Sequence, residues 1–218
     1  MIQIANVLPE PDCDAITDAL GVEDCWISGE STAGGQARQV KHNLQADLNT
    51  APVRGVIEKI VKAISTNTIV KAYAQPKQIV RPMINRFDRE MAYGNHVDAA
   101  FIDGQPTDLS FTLFLTDPDT YEGGDLIIQN DGSEDVIKLA KGHLVLYSAA
   151  HVHEVTMVTK GCRIAAVGWI TSRIASAEAR AALFDIEQVL AAMDRMEDRA
   201  AWLKLTNARN RLLRLFSR

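Results

Sequence analysis

From about residue 68 to residue 170 the apolar residues recur with a period of two. "TIVKAYA", "RPMINRF", "HVDAAFI", "LSFTLFL", "DLIIQ", "DVIKL", "HLVLYS", "VHEVTMV" and "CRIAAVGWI" are short and rich in β-branched and aromatic residues. Turn signals separate them: "DGQPTD", "EGGD", "NDGSED", "AKG" and "TKG". Strands joined by such short turns pair antiparallel, because a parallel neighbour needs a crossover of a dozen residues or more. The pattern predicts a double-sheet β fold, a sandwich or jelly roll.

The flanks read differently. "IQIANVL" alternates as a short strand, and "EPDCDAITDAL" places Ile16 and Leu20 four apart behind a proline and acids, as a short helix. "SGESTAGGQARQ" is a Gly/Ser-rich loop. "TAPVRGVIEKIVKAIS" is an amphipathic helix with Val53, Val56, Ile57, Ile60, Val61 and Ile64 on one face. After Ile170, "SAEARAALFDIEQVLAAMDRM" carries Leu183, Ile186, Leu190 and Met193 on one face with Ser176 as N-cap, and "RAAWLKLTNARNRLLRLF" forms a second helix. The expected architecture is mainly β with flanking helices. An α/β amino-terminal segment spans 1–79, a double-stranded β-helix core 80–172 and a helical extension 173–218. The apolar stripe of the carboxy-terminal helices is an expected surface for a homo-oligomer.

With 47% hydrophobic residues in 218, the chain can build one substantial core. Its net charge of −5, without long runs of one sign, argues against nucleic acid or an anionic membrane as partner. No apolar run reaches the roughly 18–20 residues of a bilayer span. Cys13, Cys25 and Cys162 are scattered and form no CxxC pair, so neither a disulfide framework nor a thiolate zinc site is expected. Reduced thiols and a start without a signal-peptide pattern predict a cytoplasmic protein.

Chemistry enters at "YGNHVDAAFI", where His96 and Asp98 stand two apart. On a strand such residues share a face, so an imidazole and a carboxylate could reach one divalent ion. A third ligand is needed, and His42, His143, His151 and His153 are available. Arg163 lies ten residues after His153, across the "MVTKG" turn, where a hairpin would set the two on neighbouring strands. An inward-facing arginine needs an anionic partner. A dicarboxylic ligand could accept paired N–H bonds from it, and so could a protein carboxylate such as Glu154 or Asp125.

His-x-Asp, a distal His and an Arg ten residues later resemble the pattern of the non-haem Fe(II)/2-oxoglutarate dioxygenases. The wider chain is similar to the bacterial PKHD-type hydroxylases, relatives of prolyl 4-hydroxylase. The likeness runs through "QVKHNLQ" (39–45), "INRF" (84–87), "YGNHVDAAF" (93–101), "TDLSFTLFLTDPDTYEGGDLII" (107–128), "KGHLVLYSAAHVHEVTMVTKGCR" (141–163) and the carboxy-terminal helical tail. The resemblance implies Fe(II) held by His96, Asp98 and His153, and 2-oxoglutarate anchored by Arg163. These four are the expected catalytic constellation. It also implies hydroxylation of a C–H bond with release of succinate and CO2, and L-ascorbate as reductant. Many relatives carry a tyrosine where this chain has Phe87, so Tyr93, Asn85 or a residue of "LSFTLF" is expected to replace its hydrogen bond. Lys41 and Asn43 of "QVKHN" are expected to border the pocket mouth, and His151 to lie nearby.

Plainer readings stand beside these. "EGGD" reads as a Gly-rich turn, and His42 and His143 as solvated or core-edge side chains. A cupin-like metalloenzyme would bind metal without 2-oxoglutarate; a binding module would hold a small acid on Arg163 without turnover. The expected partners are a small-molecule co-substrate and a protein residue, free amino acid or small metabolite. Asp103, Asp108 and Asp117 hint at a cationic substrate.

Overall fold

The computed structural model describes residues 1–32 and 35–218. Strand β1 (Ile2–Ile4) leads into helix α1 (Glu10–Ala19), then β2 (Trp26–Ser28), β3 (Lys41–His42) and β4 (Leu44–Ala46). Helices α2 (Ala51–Thr66) and α3 (Thr68–Ala74) follow. Next come β5 (Pro76–Phe87), β6 (Ala92–His96), β7 (Phe101–Ile102), β8 (Gln105–Pro106) and β9 (Leu109–Phe114). Then β10 (Leu126–Asn130), β11 (Ser133–Ile137), β12 (Leu144–Ser148), β13 (His153–Val155) and β14 (Arg163–Ser172) precede α4 (Ala177–Ala192) and α5 (Arg199–Phe216). Of the Gly/Ser-rich stretch, residues 33 and 34 lie outside the described residues; 29–32 and 35–40 form short 3-10 turns.

Two antiparallel sheets face each other. The larger has seven strands in the order β1-β12-β9-β14-β5-β4-β2, the smaller five in the order β11-β10-β13-β6-β3. This is the expected mainly antiparallel jelly roll, and the amino-terminal segment contributes strands to both sheets. Alternation along β9 shows how the sequence builds it. Leu109, Phe111 and Leu113 point to the outer face and join Val53, Ile57, Ile60 and Ile64 of α2 in one core. Ser110, Thr112 and Phe114 are buried on the inner face. There Phe87, Phe114, Val145 and Tyr147 meet Leu126, Ile128 and Val155 of the smaller sheet in a second core. Each fully buried Leu or Ile contributes roughly 1.5–3 kcal/mol, so the two cores hold the sheets in place.

Three expectations of local structure are corrected. "TIVKAYA" is helix α3, not a strand. The Asn67 side chain accepts from the amides of Ile69 and Val70, both at 3.0 Å, and Val70 and Ala74 turn into the core. This cap and the burial override the β-branched composition. "HVDAAFI" is not one strand, because β6 ends at His96 and Asp98 lies in the loop before β7. Residues 153 and 163 are not on neighbouring strands. β13 pairs with β10 and β6, whereas β14 pairs with β5 and β9, so the chain changes sheets between them. On α4, Ser176 caps as expected through its hydroxyl, 3.1 Å from the Ala179 amide. Only Leu183 of its expected face is fully buried; Ile186, Leu190 and Met193 are half-buried.

Candidate active site

The space between the sheets opens into a cavity of about 870 Å³. His96, Asp98 and His153 lie on its wall and Arg163 on the opposite sheet. His96 and His153 sit directly across from each other where β6 pairs with β13. Their ring centres are 4.3 Å apart. Each ring is oriented through Nδ1, His96 by the Gly94 carbonyl at 2.9 Å and His153 by the His151 carbonyl at 3.0 Å. A carbonyl only accepts, so each Nδ1 is the donor and each Nε2 is the nitrogen left for a ligand. Burial, then the neighbouring His153, push the His96 imidazole below its ordinary value and favour its neutral form.

The loop after β6 brings Asp98 back to the same point. Its Oδ2 accepts from Ser110 Oγ at 2.6 Å and lies 3.8 Å from His153 Nε2. One ligand atom from each of His96, Asp98 and His153 falls within 4.8 Å of the others. Two imidazoles and a carboxylate in this arrangement suit a divalent iron with open coordination positions. Tyr93 stacks on His96 with ring centres 3.6 Å apart.

Arg163 is only 1% exposed. Its guanidinium lies 5.3 Å from the ring centres of Phe87 and Phe114, and Nε and Nη1 find no partner. Among the described residues no carboxylate is within ion-pair distance, so neither Glu154 nor Asp125 is its counter-ion. Buried unpaired polar groups are costly and mark a missing ligand. The fit is to an anion, and the chain's own carboxylates do not supply it. The "EGGD" segment is a turn, as read, but one that borders the arginine. Gly124 has φ +66°, and a Cβ there would come within 2.9 Å of Arg163 Cδ.

The remaining expected site residues divide. Lys41, Asn85 and Tyr93 line the cavity; Asn43 and His151 do not. Lys41 is 5% exposed, and burial lowers its ammonium to about 8. Asn43 is buried against Gly29, whose added Cβ would overlap its side chain. His151 contributes its carbonyl to His153, while its own Nδ1 is buried without a partner. Turn residue His151 precedes β13, so strand alternation does not carry it to the pocket face. Asp103 pairs with Arg81 and Asp108 with Arg218, and Asp117 caps a turn, which occupies the acids read as a hint of a cationic substrate. Ser110, Thr112 and Tyr147 also line the cavity; the first two fall in the expected segment "LSFTLF" without having been named individually, and Tyr147 was not expected. Their signal was a polar atom on the inner-facing positions of otherwise apolar strands.

Comparison with known proteins agrees with this geometry. Residues 82–171 match the 2OG-Fe(II) oxygenase superfamily. A PKHD-type hydroxylase of Parvibaculum lavamentivorans is 41% identical over 214 residues, covering 98% of this chain and 97% of the relative. One from Caulobacter vibrioides is 37% identical over 225 residues, with 98% and 97% covered. Among solved structures, a prolyl-4-hydroxylase of Pseudomonas putida superposes with a TM-score of 0.55 at 19% identity, covering 79% of this chain and 92% of that one. A prolyl hydroxylase of Trichoplax adhaerens, in complex with a peptide fragment of hypoxia inducible factor, gives 0.55 at 13% identity, with 84% and 86% covered. At these identities the structural likeness bears on the fold, while the sequence relatives span nearly the whole chain. The chain belongs to the PKHD-type hydroxylases of the 2OG-Fe(II) oxygenase superfamily, enzymes dependent on Fe(II) and 2-oxoglutarate.

Proposed function

We propose that His96, Asp98 and His153 hold the Fe(II) of this hydroxylase and that Arg163 anchors the distal carboxylate of 2-oxoglutarate. The observation that carries this reading is the pairing of a three-donor cluster with a buried arginine lacking partners on two nitrogens, across one cavity. When bound, iron supplies the activation of dioxygen that lets a C–H bond be hydroxylated while 2-oxoglutarate yields succinate and CO2. The chain's own residues position and shield. The Gly94 and His151 carbonyls orient the imidazoles, and Ser110 orients Asp98. Phe87 and Phe114 flank the guanidinium and keep water from it, so a carboxylate there meets it in a low-dielectric setting. Leu126 and Val155 close the cavity from the smaller sheet.

The cupin-like alternative would draw a further histidine to the metal. Among the described residues none of His42, His143 and His151 joins the cluster. The primary substrate is a protein residue, an amino acid or another small molecule. The exposed apolar side chains Val97 and Phe101 at the cavity mouth favour a substrate with an apolar portion. L-Ascorbate is the proposed reductant that keeps iron in the Fe(II) state. Free Cys13, Cys25 and Cys162 support a reducing, cytoplasmic setting. Among the described residues no helix is long and apolar enough to cross a membrane. Self-association through the carboxy-terminal helices is part of this reading, supported by exposed Leu203, Leu215 and Phe216 on α5. Static light scattering at micromolar concentration checks it, and a monomeric mass would remove it.

The site assignment is tested by turnover without a primary substrate. Succinate should form slowly from 2-oxoglutarate, only with Fe(II) and dioxygen, and Asp98→Ala and Arg163→Met should abolish it. Full succinate formation by either variant would contradict the assignment.

A further inference from the structure

Among the three proposed metal ligands, Asp98 alone lies outside a strand. The two imidazoles are set by the register of β6 and β13. The connection from β6 to β9, residues 97–108, must therefore bring the carboxylate to them within roughly 0.5 Å. Its returning limb is tied down at successive residues. The Pro106 carbonyl accepts from Thr171 Oγ1 at 2.6 Å. Thr107 donates its amide to the Ala100 carbonyl at 3.1 Å and its hydroxyl to the Ala99 carbonyl at 2.5 Å. Asp108 donates its amide to the Ile170 carbonyl at 3.1 Å, and its Oδ2 accepts from the Ser172 amide at 2.8 Å. Arg218 completes the set. Its Nη2 donates to the same Asp108 oxygen, and its Nε donates to the Ser172 carbonyl at 3.3 Å.

We propose that Arg218, acting through Asp108, is a positioning residue for Asp98, so that the carboxy-terminal helices brace the metal site. This inference rests on the reading of His96, Asp98 and His153 as Fe(II) ligands.

Asp108 stands between the two groups that place Asp98. Thr107 precedes it and holds the carbonyls of Ala99 and Ala100, the residues that follow Asp98. Ser110 lies two residues after it and holds the Asp98 carboxylate itself. A backbone shift at Asp108 moves both supports together. The Asp108 side chain is 12% exposed. Without the guanidinium, a nearly buried carboxylate would keep only the Ser172 amide as a side-chain partner among the described residues, and its charge would pull the segment toward water.

Arg218 is itself held in place. Its amide donates to the Arg173 carbonyl at 2.9 Å, and Ser217 forms a β-bridge with Ile174. Arg180 of α4 is buried and donates to the carbonyls of Ile174 and Ala175 at 2.7 and 2.9 Å. Ile174, Ala179 and Leu183 pack with Leu212 and Leu213 of α5 in a small apolar core. The end of β14, α4 and α5 thus form one unit that presents Arg218 to Asp108. The other ion pair on the connection, Arg81 with Asp103, is exposed on both sides and serves less well as a brace.

The test measures Fe(II) affinity on metal-free protein without dioxygen, by competition with a chelator. Arg218→Ala should weaken Fe(II) roughly ten-fold, at the low end of what the loss of a supporting contact costs a metal site. In the metal-free variant the Thr107 and Asp108 amides should exchange their hydrogens faster than in wild type. Asp108→Asn removes the charge but leaves an acceptor for Ser172. It should weaken Fe(II) in the same way, and it carries the test alone if Arg218→Ala does not fold. Asn67→Ala lowers stability at the cap of α3 and should leave Fe(II) affinity unchanged. Native Fe(II) affinity in folded Arg218→Ala, unchanged exchange at Thr107 and Asp108, or an equal loss of affinity in Asn67→Ala would overturn the role of Arg218. A wild-type protein that binds no Fe(II) would instead contradict the site reading on which the inference stands.

Discussion

Ser110 shows how much of the site depends on one hydroxyl. Its 2.6 Å hydrogen bond fixes Asp98, which sits on a loop and has no strand to hold it. Ser110→Ala is predicted to weaken Fe(II) binding by roughly 10- to 100-fold with little loss of fold, as measured by competition with a chelator. Native affinity in that variant would show that the loop alone positions the carboxylate. Lys41 makes a prediction about pH. Burial lowers its ammonium from 10.5 to about 8, so between those values the unfolded chain binds more protons than the folded one. Stability from this group therefore rises with pH across that window, while below pH 8 both states are charged and the burial cost is fully felt. Lys41→Met should flatten that part of the denaturation-midpoint profile, and an unaltered slope would refute the link. At this scale His96, Asp98, His153 and Arg163 were legible because their residue types and spacing are chemically specific. Ser110 and Thr112 were legible only as members of "LSFTLF" and Tyr147 not at all, because a lone hydroxyl on an apolar strand looks the same whether it faces solvent, core or ligand.

Among the elements, the turn at Gly123–Gly124 couples backbone conformation to the placement of Arg163, the proposed 2-oxoglutarate anchor. Both residues have positive φ, +71° and +66°, and a Cβ on Gly123 would come within 2.0 Å of the Met157 carbonyl. Gly124→Ala is predicted to cost roughly 1–3 kcal/mol from the left-handed conformation and to weaken 2-oxoglutarate binding by displacing Arg163. Thermal melting and a 2-oxoglutarate titration measure the two effects, and native behaviour in both would contradict the packing. Helix α3 offers a second check. Asn67→Ala removes the side chain that accepts from two backbone amides and should cost about 1 kcal/mol in chemical denaturation. These two segments also show why periodicity misreads local structure. The β-branched run "TIVKAYA" alternates well enough for a strand, and only its cap and tertiary burial decide for helix. "MVTKG" carries the signals of a hairpin turn, yet Val155 and Arg163 belong to different sheets. A turn signal reports a change of direction and is silent on which sheet receives the next strand.

For the whole molecule, the double sheet explains why residues from distant parts of the chain converge. The smaller sheet brings His96 and His153 into register, and the larger presents Arg163, Ser110 and Tyr147 across the cavity. The alternating period over residues 76–170 made this architecture readable, since it requires one buried inner face per sheet. The order of strands was not readable, because pairing is set by long-range packing and not by any local segment. The central claim is that one cavity binds Fe(II) through His96, Asp98 and His153 and 2-oxoglutarate through Arg163. Its most direct test is an anaerobic absorption titration of metal-free protein. A visible metal-to-ligand charge-transfer band should appear only when both Fe(II) and 2-oxoglutarate are present, and should be lost in His153→Ala. A band that survives in His153→Ala, or wild-type protein that binds both components without forming it, would contradict the account.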